Sequence, residues 1–394
     1  MKLARRISLV QPSPTLAITN KANAMKAKGL DIISFGAGEP DFNTPERICD
    51  AAKQALDDGH TRYTAVPGIP PLREAIASDY ARRGRTVSPN QVIASVGGKH
   101  ALYNATQVLF EEGDKVLIPS PFWVSYPAQI LLAGADYVDV PCTAEDDFKL
   151  TPARLSTLLE EDGSLTGLIL CSPSNPTGSV YSAEELTALG AVIARYPRLR
   201  VFFDAMYDRL YYEGEIAPDL VACAPEIEDQ VLTFNGFSKT YAMTGWRLGY
   251  AIGPEPVISA MSKLQSQSTS NPTSITQYAG IAALDLDDLV IEEMRQVFKE
   301  RRDLIVKLLT DIPHVSCNTP HGAFYAFPDF SHHTDAHFGG DDLKLADYLL
   351  DEAKVALVPG SAFGANGYMR LSYATSDALI EEGVRRIHAA IDKL

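Results

Sequence analysis

Cysteine is scarce in this 394-residue chain: Cys49, Cys142, Cys171, Cys223 and Cys317 are odd in number and far apart. No Cys-x-x-Cys pair occurs, so neither a disulfide framework nor a zinc site is signalled. Cys171 and Cys223 stand in apolar contexts, where cysteine serves as a small core residue. Positive charge is also in deficit. Lys and Arg number 35 against 50 Asp and Glu, a formal net charge of −15. Such a surface repels phosphate backbones, so nucleic acid is excluded as a partner, and solubility or a salty habitat accounts for the acidity. Long apolar runs are missing too. Nothing approaches the roughly 18 apolar residues of a membrane span. The basic start Met1–Arg6 leads into no apolar signal core, so the expected location is the cytoplasm. Common catalytic signatures are absent as well. Gly97-Gly98-Lys99 runs into His100 and makes no Walker A loop, Gly36-Ala37-Gly38 lacks a third glycine, and no Gly-x-Ser-x-Gly or His-Glu-x-x-His occurs.

What remains is ordinary globular material, 46% apolar and 22% charged, which excludes a disordered or fibrous chain. The middle of the chain alternates short apolar runs with helical patterns. Val92–Ser95, Lys115–Ile118, Leu168–Cys171, Val201–Phe203 and Val231–Phe234 read as strands buried on both faces, hence an α/β fold with a mostly parallel sheet. Thr44-Pro45, Ser13-Pro14 and Ser182 ahead of Glu184 and Glu185 read as helix starts. The last helix begins near Ser376 and lines one face with Leu379, Ile380, Val384, Ile387 and Ile391.

After about residue 288 the pattern changes to a long charged helix, then short strands near Ala323–Phe327 and Met369–Tyr373. The expected division is an N-terminal arm and part of a small domain at 1–45, a large domain at 46–287 and a smaller C-terminal α/β domain at 288–394. Ser331–His337 carries three histidines but no carboxylate at helical spacing, so no metal is expected and a solvated loop is.

Lys239 is the residue that asks for chemistry. It lies just past an apolar strand, in Asn235-Gly236-Phe237-Ser238-Lys239-Thr240, with Arg247 close behind. A buried lysine beside another cation has a depressed pKa and becomes a nucleophile able to form Schiff bases. Small residues, a helix N-terminus and an arginine make an anion site. Lysine plus phosphate site is the minimal apparatus for pyridoxal 5′-phosphate (PLP).

This segment resembles the lysine signature of class I aminotransferases, PLP enzymes of fold type I. Further segments match in order across nearly the whole chain: Gly36–Asp41, Tyr63–Gly68, Gly97–Lys99, Pro121–Pro127, Ser172–Gly178, Asp204–Tyr207 and Arg370–Thr375. The resemblance implies a large PLP-binding domain with a smaller C-terminal domain, and a Schiff base on Lys239. It implies Asp204 against the pyridine nitrogen, Tyr207 and Asn175 on the phenolic oxygen, and Trp123 stacked on the ring. Gly98, Lys99, Ser238 and Arg247 would hold the phosphate, with Tyr63 reaching the phosphate of the other subunit, which makes a homodimer with composite sites. Arg370 would grip the substrate α-carboxylate, helped by the main chain at Gly38.

The nearest likeness is to bacterial aspartate aminotransferases, some of which also take prephenate. In that subgroup a Ser-x-Thr and the lysine after Gly-Gly recognise the side-chain carboxylate, here Ser13, Thr15 and Lys99. Gln11 stands where prephenate users carry a basic residue and argues against that substrate. The implied reaction moves the amino group of L-aspartate, or a similar dicarboxylic amino acid, to a 2-oxo acid such as 2-oxoglutarate, oxaloacetate or glyoxylate through pyridoxamine phosphate. Alternatives are a transaminase of another amino acid (aromatic, alanine or prephenate/arogenate) and a PLP-dependent lyase on the same fold.

Overall fold

The computed structural model of the protein describes residues 1–12 and 14–394, those at 14–16 by backbone alone. Seven strands form its main sheet, in the order Val92–Ser95, Gly249–Ile252, Val231–Gly236, Arg200–Asp204, Leu165–Cys171, Lys115–Ser120, Asp136–Pro141. Only Gly249–Ile252 runs against its neighbours. Side chains alternate between the sheet's two faces. Val201 and Phe203 pack with Leu155, Leu186 and Leu189 on one face. Phe202 packs with Leu102, Ile130 and Met261 on the other. With helices on both faces every position of Val231–Gly236 is buried, Thr233 and Asn235 included, which is why this strand does not alternate apolar with exposed polar residues. Asp136–Pro141 is an edge strand with exposed positions, and its polarity hides it in the sequence.

A second, antiparallel sheet places Met369–Ser372 between Val358–Pro359 and Tyr325–Ala326. Helices Asp288–Thr310 and Asp377–Ile391 cover it, with Phe298, Ile305 and Leu309 against Ile380, Val384 and Ile387. Ile33–Ser34 pairs with Val355–Ala356, and Ile33 and Phe35 join this same core.

Three local expectations need correction. Ser331–Phe338 is a helix, closed by a left-handed Gly339, and not a loop. Buried Phe330, His333 and Thr334 anchor it, and the His333 Nε2–H donates to the Pro313 carbonyl at 2.7 Å. Leu379 does not share the buried face of the last helix; it is 44% exposed. The helix after Thr44 begins at Glu46 without a side-chain cap. The Thr44 hydroxyl instead donates to the Ala242 carbonyl at 2.7 Å and accepts from the Trp246 indole at 3.0 Å. Ser182 does cap its helix, in a reciprocal pair with Glu185.

Candidate active site

Four strands of the main sheet deliver chemistry to one end of the sheet, the end where parallel α/β folds bind ligands. Val231–Gly236 stops at a glycine whose Cβ, if present, would lie 3.0 Å from the Gly249 Cα. Ser238 and Lys239 follow at once, between buried Phe237 and Tyr241. The Lys239 ammonium donates to the Gly38 carbonyl. Burial draws the Lys239 amine down to about 8; Glu39 opposes this, while Arg370, Arg247 and Lys99 push the same way.

Arg200–Asp204 ends in the second key group. Asp204 Oδ2 accepts from the Tyr126 hydroxyl at 2.7 Å and Oδ1 accepts from the Met206 N–H at 3.1 Å. Burial pushes its carboxyl up to about 6, and the two hydrogen bonds and the Lys239 charge pull against that. Leu165–Cys171 leads into the loop carrying Asn175, and Val92–Ser95 into helix Gly98–Leu109. Gly97 caps this helix at φ 88°, a conformation glycine adopts without strain, and no described side chain caps the first turn. Arg247 lies beside this helix start and is held by its own bond to the Thr244 carbonyl at 2.8 Å. A Cβ on Gly97 would come within 2.6 Å of the Arg247 guanidinium. Lys99 rides over the Trp123 ring at 4.9 Å, and burial followed by Arg247 lowers its pKa.

The second sheet contributes Arg370. Its Nη1 donates to Asn175 Oδ1 at 3.1 Å and its Nη2 to the Gly36 carbonyl at 2.9 Å. Both acceptors are neutral, and its buried Nε has no partner. Among the described residues no carboxylate pairs with it. A buried cation is costly without an anion, so the pocket is built for one that the chain itself does not supply.

Gly38, Gly98, Lys99, Trp123, Asn175, Asp204, Tyr207, Ser238, Lys239, Arg247 and Arg370 line one cavity of about 410 Å³. Asp204 is the one carboxylate on its described wall, against four cations. Tyr63 is elsewhere, 92% exposed on the surface of the single chain. Ser13 and the Thr15 side chain lie outside the described residues. Cys171, read in the sequence as a core residue, also lines the cavity, as do Thr19, Tyr126, Met206 and Tyr325, which sequence reasoning did not single out.

The lining fits PLP. A helix start, Ser238, Lys99 and Arg247 are phosphate donors; Asp204 can hold a protonated ring nitrogen; Lys239 is an amine with a depressed pKa. Asn175 commits its Oδ1 to Arg370, which leaves its NH₂ to donate into the cavity.

A family model described as Aminotransferase class I and II matches residues 30–387. Among curated relatives, the aspartate aminotransferase of Geobacillus stearothermophilus is 48% identical over 390 residues, covering 98% of each chain. The aspartate/prephenate aminotransferase of Cereibacter sphaeroides is 45% identical over 393 residues, again covering 98% of each. Among solved structures, the aspartate aminotransferase of Rhizobium meliloti matches with a TM-score of 0.94 at 38% identity over 100% of both chains. That of Thermus thermophilus with maleate matches at 0.93 and 39% identity, over 99% of this chain and 100% of the other. The mostly parallel sheet and the full-length match agree with the fold type I α/β architecture expected from the sequence.

Proposed function

Because this chain belongs to the class I and II aminotransferases, we propose that it transfers the amino group of L-aspartate to a 2-oxo acid, with PLP held in the cavity at Lys239. The observation that carries this reading is the pairing of a half-buried Lys239, its amine drawn down to about 8, with a buried Arg370 that lacks an anion, both facing the cavity that holds Asp204. When bound, PLP supplies an aldehyde that takes up and hands on the amino group, and a ring that delocalises the electrons freed at the substrate α carbon.

The protein's own residues do the rest. Arg370 binds the α-carboxylate in a two-pronged grip. Lys239 Nζ takes the proton from the substrate α carbon and later returns one. Asp204 keeps a proton on the ring nitrogen, and Tyr126, by donating to Asp204, keeps that carboxylate oriented. Tyr207 and Asn175 donate to the phenolic oxygen. Trp123 covers the ring face, while the helix start at Gly98 joins Ser238, Lys99 and Arg247 in holding the phosphate. A half-reaction with L-aspartate tests the reading: amine must appear on the cofactor as oxaloacetate forms. Ammonia release instead would favour the lyase alternative.

Substrate choice rests on Lys99, with Ser13 and Thr15, as the grip for the second carboxylate. The maleate named with the Thermus thermophilus structure is a dicarboxylate of the matching kind. A charge left without its partner costs about 2–5 kcal/mol, or roughly 30- to several-thousand-fold. Lys99→Ala is therefore expected to erode the preference for aspartate over alanine by that order, mainly through lost kcat/KM for aspartate. PLP occupancy is measured in the same variant. A full complement of cofactor with an unchanged preference ratio would place side-chain recognition elsewhere.

The working unit is a homodimer, since the exposed phenol of Tyr63 has no part in the cavity of its own chain. The partner subunit's Tyr63 completes the phosphate site. Sedimentation at micromolar concentration is expected to give twice 42.8 kDa. A fully active monomer would remove both the dimer and the Tyr63 role. The division into 1–45, 46–287 and 288–394 and a cytoplasmic location belong to the same proposal. No described helix is long and apolar enough to cross a membrane.

A further inference from the structure

Tyr325 lines the cavity and is fully buried, on the edge strand beside Met369–Ser372. Three parts of the site meet on this one phenol. Its ring lies under the Arg370 guanidinium at 4.6 Å, with Phe363 at 5.1 Å as a second ring against the same group. Its hydroxyl is 2.8 Å from the Tyr207 hydroxyl. A Cβ on Gly38, whose carbonyl receives the Lys239 ammonium, would lie 3.1 Å from the Tyr325 oxygen.

The hydroxyl pair has a polarity that follows from proton counting. A phenol has one O–H to give. Burial raises the pKa of both phenols, so each keeps its proton. If Tyr207 gives its proton to the phenolic oxygen of PLP, it has none for Tyr325. The bond between them must then run from the Tyr325 O–H to the Tyr207 oxygen. A donor whose own oxygen accepts a hydrogen bond is polarised and donates more strongly.

We propose that Tyr325 is a positioning residue with two separable effects: its hydroxyl strengthens the hydrogen bond Tyr207 gives to the cofactor, and its ring face holds Arg370 in place for the α-carboxylate. This rests on the functional reading above. The hydroxyl effect has an observable sign. A hydrogen bond to the phenolic oxygen favours the form that has lost the neighbouring nitrogen-bound proton, and so lowers the pH midpoint of the visible band of lysine-bound PLP.

The experiment is a spectral titration of the PLP-loaded protein, with maleate affinity read from the same spectra. Tyr325→Phe keeps shape and ring. It is expected to raise the midpoint by about 0.3–0.6 of a pH unit, with maleate affinity unchanged within about twofold. Tyr207→Phe is expected to raise it further, by about 1–2 pH units. Adding Tyr325→Phe to Tyr207→Phe is expected to change nothing more, because the effect runs through Tyr207. Tyr325→Leu removes the ring as well and is expected to weaken maleate binding by about 2- to 30-fold. A wild-type midpoint in Tyr325→Phe, beside a raised one in Tyr207→Phe, overturns the hydroxyl effect. So does a further rise in the double variant. Wild-type maleate affinity in Tyr325→Leu overturns the ring effect. A wild-type protein that takes up PLP without a visible band overturns the functional reading itself, and this inference with it.

Discussion

Lys239→Ala is expected to lower aspartate turnover by about 10⁴-fold or more without lowering the melting temperature. The rate falls because one amine serves as both attachment point and base. A positioned base alone contributes about 10²–10⁴-fold, and the loss of the nucleophile adds to that. Lys99, the other amine in the cavity, is held over Trp123 at 4.9 Å and is not placed to take over. The fold is spared because three cations, Arg370, Arg247 and Lys99, repel the Lys239 ammonium, so its removal relieves that repulsion and offsets the loss of the bond to Gly38 and of the attraction to Glu39. Steady-state kinetics and a thermal melt on the same preparation check both halves. Turnover within tenfold of wild type would take Lys239 out of the chemistry.

Asp204→Asn carries the second-largest expected effect, and it falls on chemistry rather than binding. The carboxylate sits at the end of Arg200–Asp204 with donors on both oxygens, fixed before any ligand arrives. Removing one preorganised electrostatic partner costs about 10²–10³ in rate. The grip on the α-carboxylate is assembled separately, by Arg370, Asn175 and the Gly36 carbonyl. Exchange of the aspartate α-hydrogen with solvent deuterium, followed by NMR, is therefore expected to slow by about 10²–10³ while maleate affinity moves by less than about threefold. Wild-type exchange in the variant would deny Asp204 this role.

The parts of the site readable from sequence are those announced by their own neighbours. Asp204 and Lys239 follow apolar runs that can only be buried strands, and Gly97-Gly98 precedes a helix. Tyr126 and Tyr325 have no such announcement. An aromatic residue in an apolar stretch looks like core, and their hydroxyl partners Asp204 and Tyr207 are 78 and 118 positions away in the chain. Cys171 packs against the core as its apolar context suggests, but only the fold shows that its strand also opens into the cavity at this last residue. The helix at Ser331–Phe338 is hidden for the opposite reason: its polar composition suggests solvent, and only His333 and Thr334 within it are buried. Thr44 reads as a cap because sequence records its distance to Pro45 and not to Ala242 and Trp246, where its hydroxyl is bonded.

The most direct test of the account is one half-reaction. PLP-loaded protein is mixed with L-aspartate and no 2-oxo acid acceptor, and products are counted per subunit. The expected result is one oxaloacetate and one aminated cofactor per subunit, no free ammonia, and return of the original spectrum on adding 2-oxoglutarate. Ammonia released in step with the keto acid, or a cofactor that never gains the amine, would contradict it.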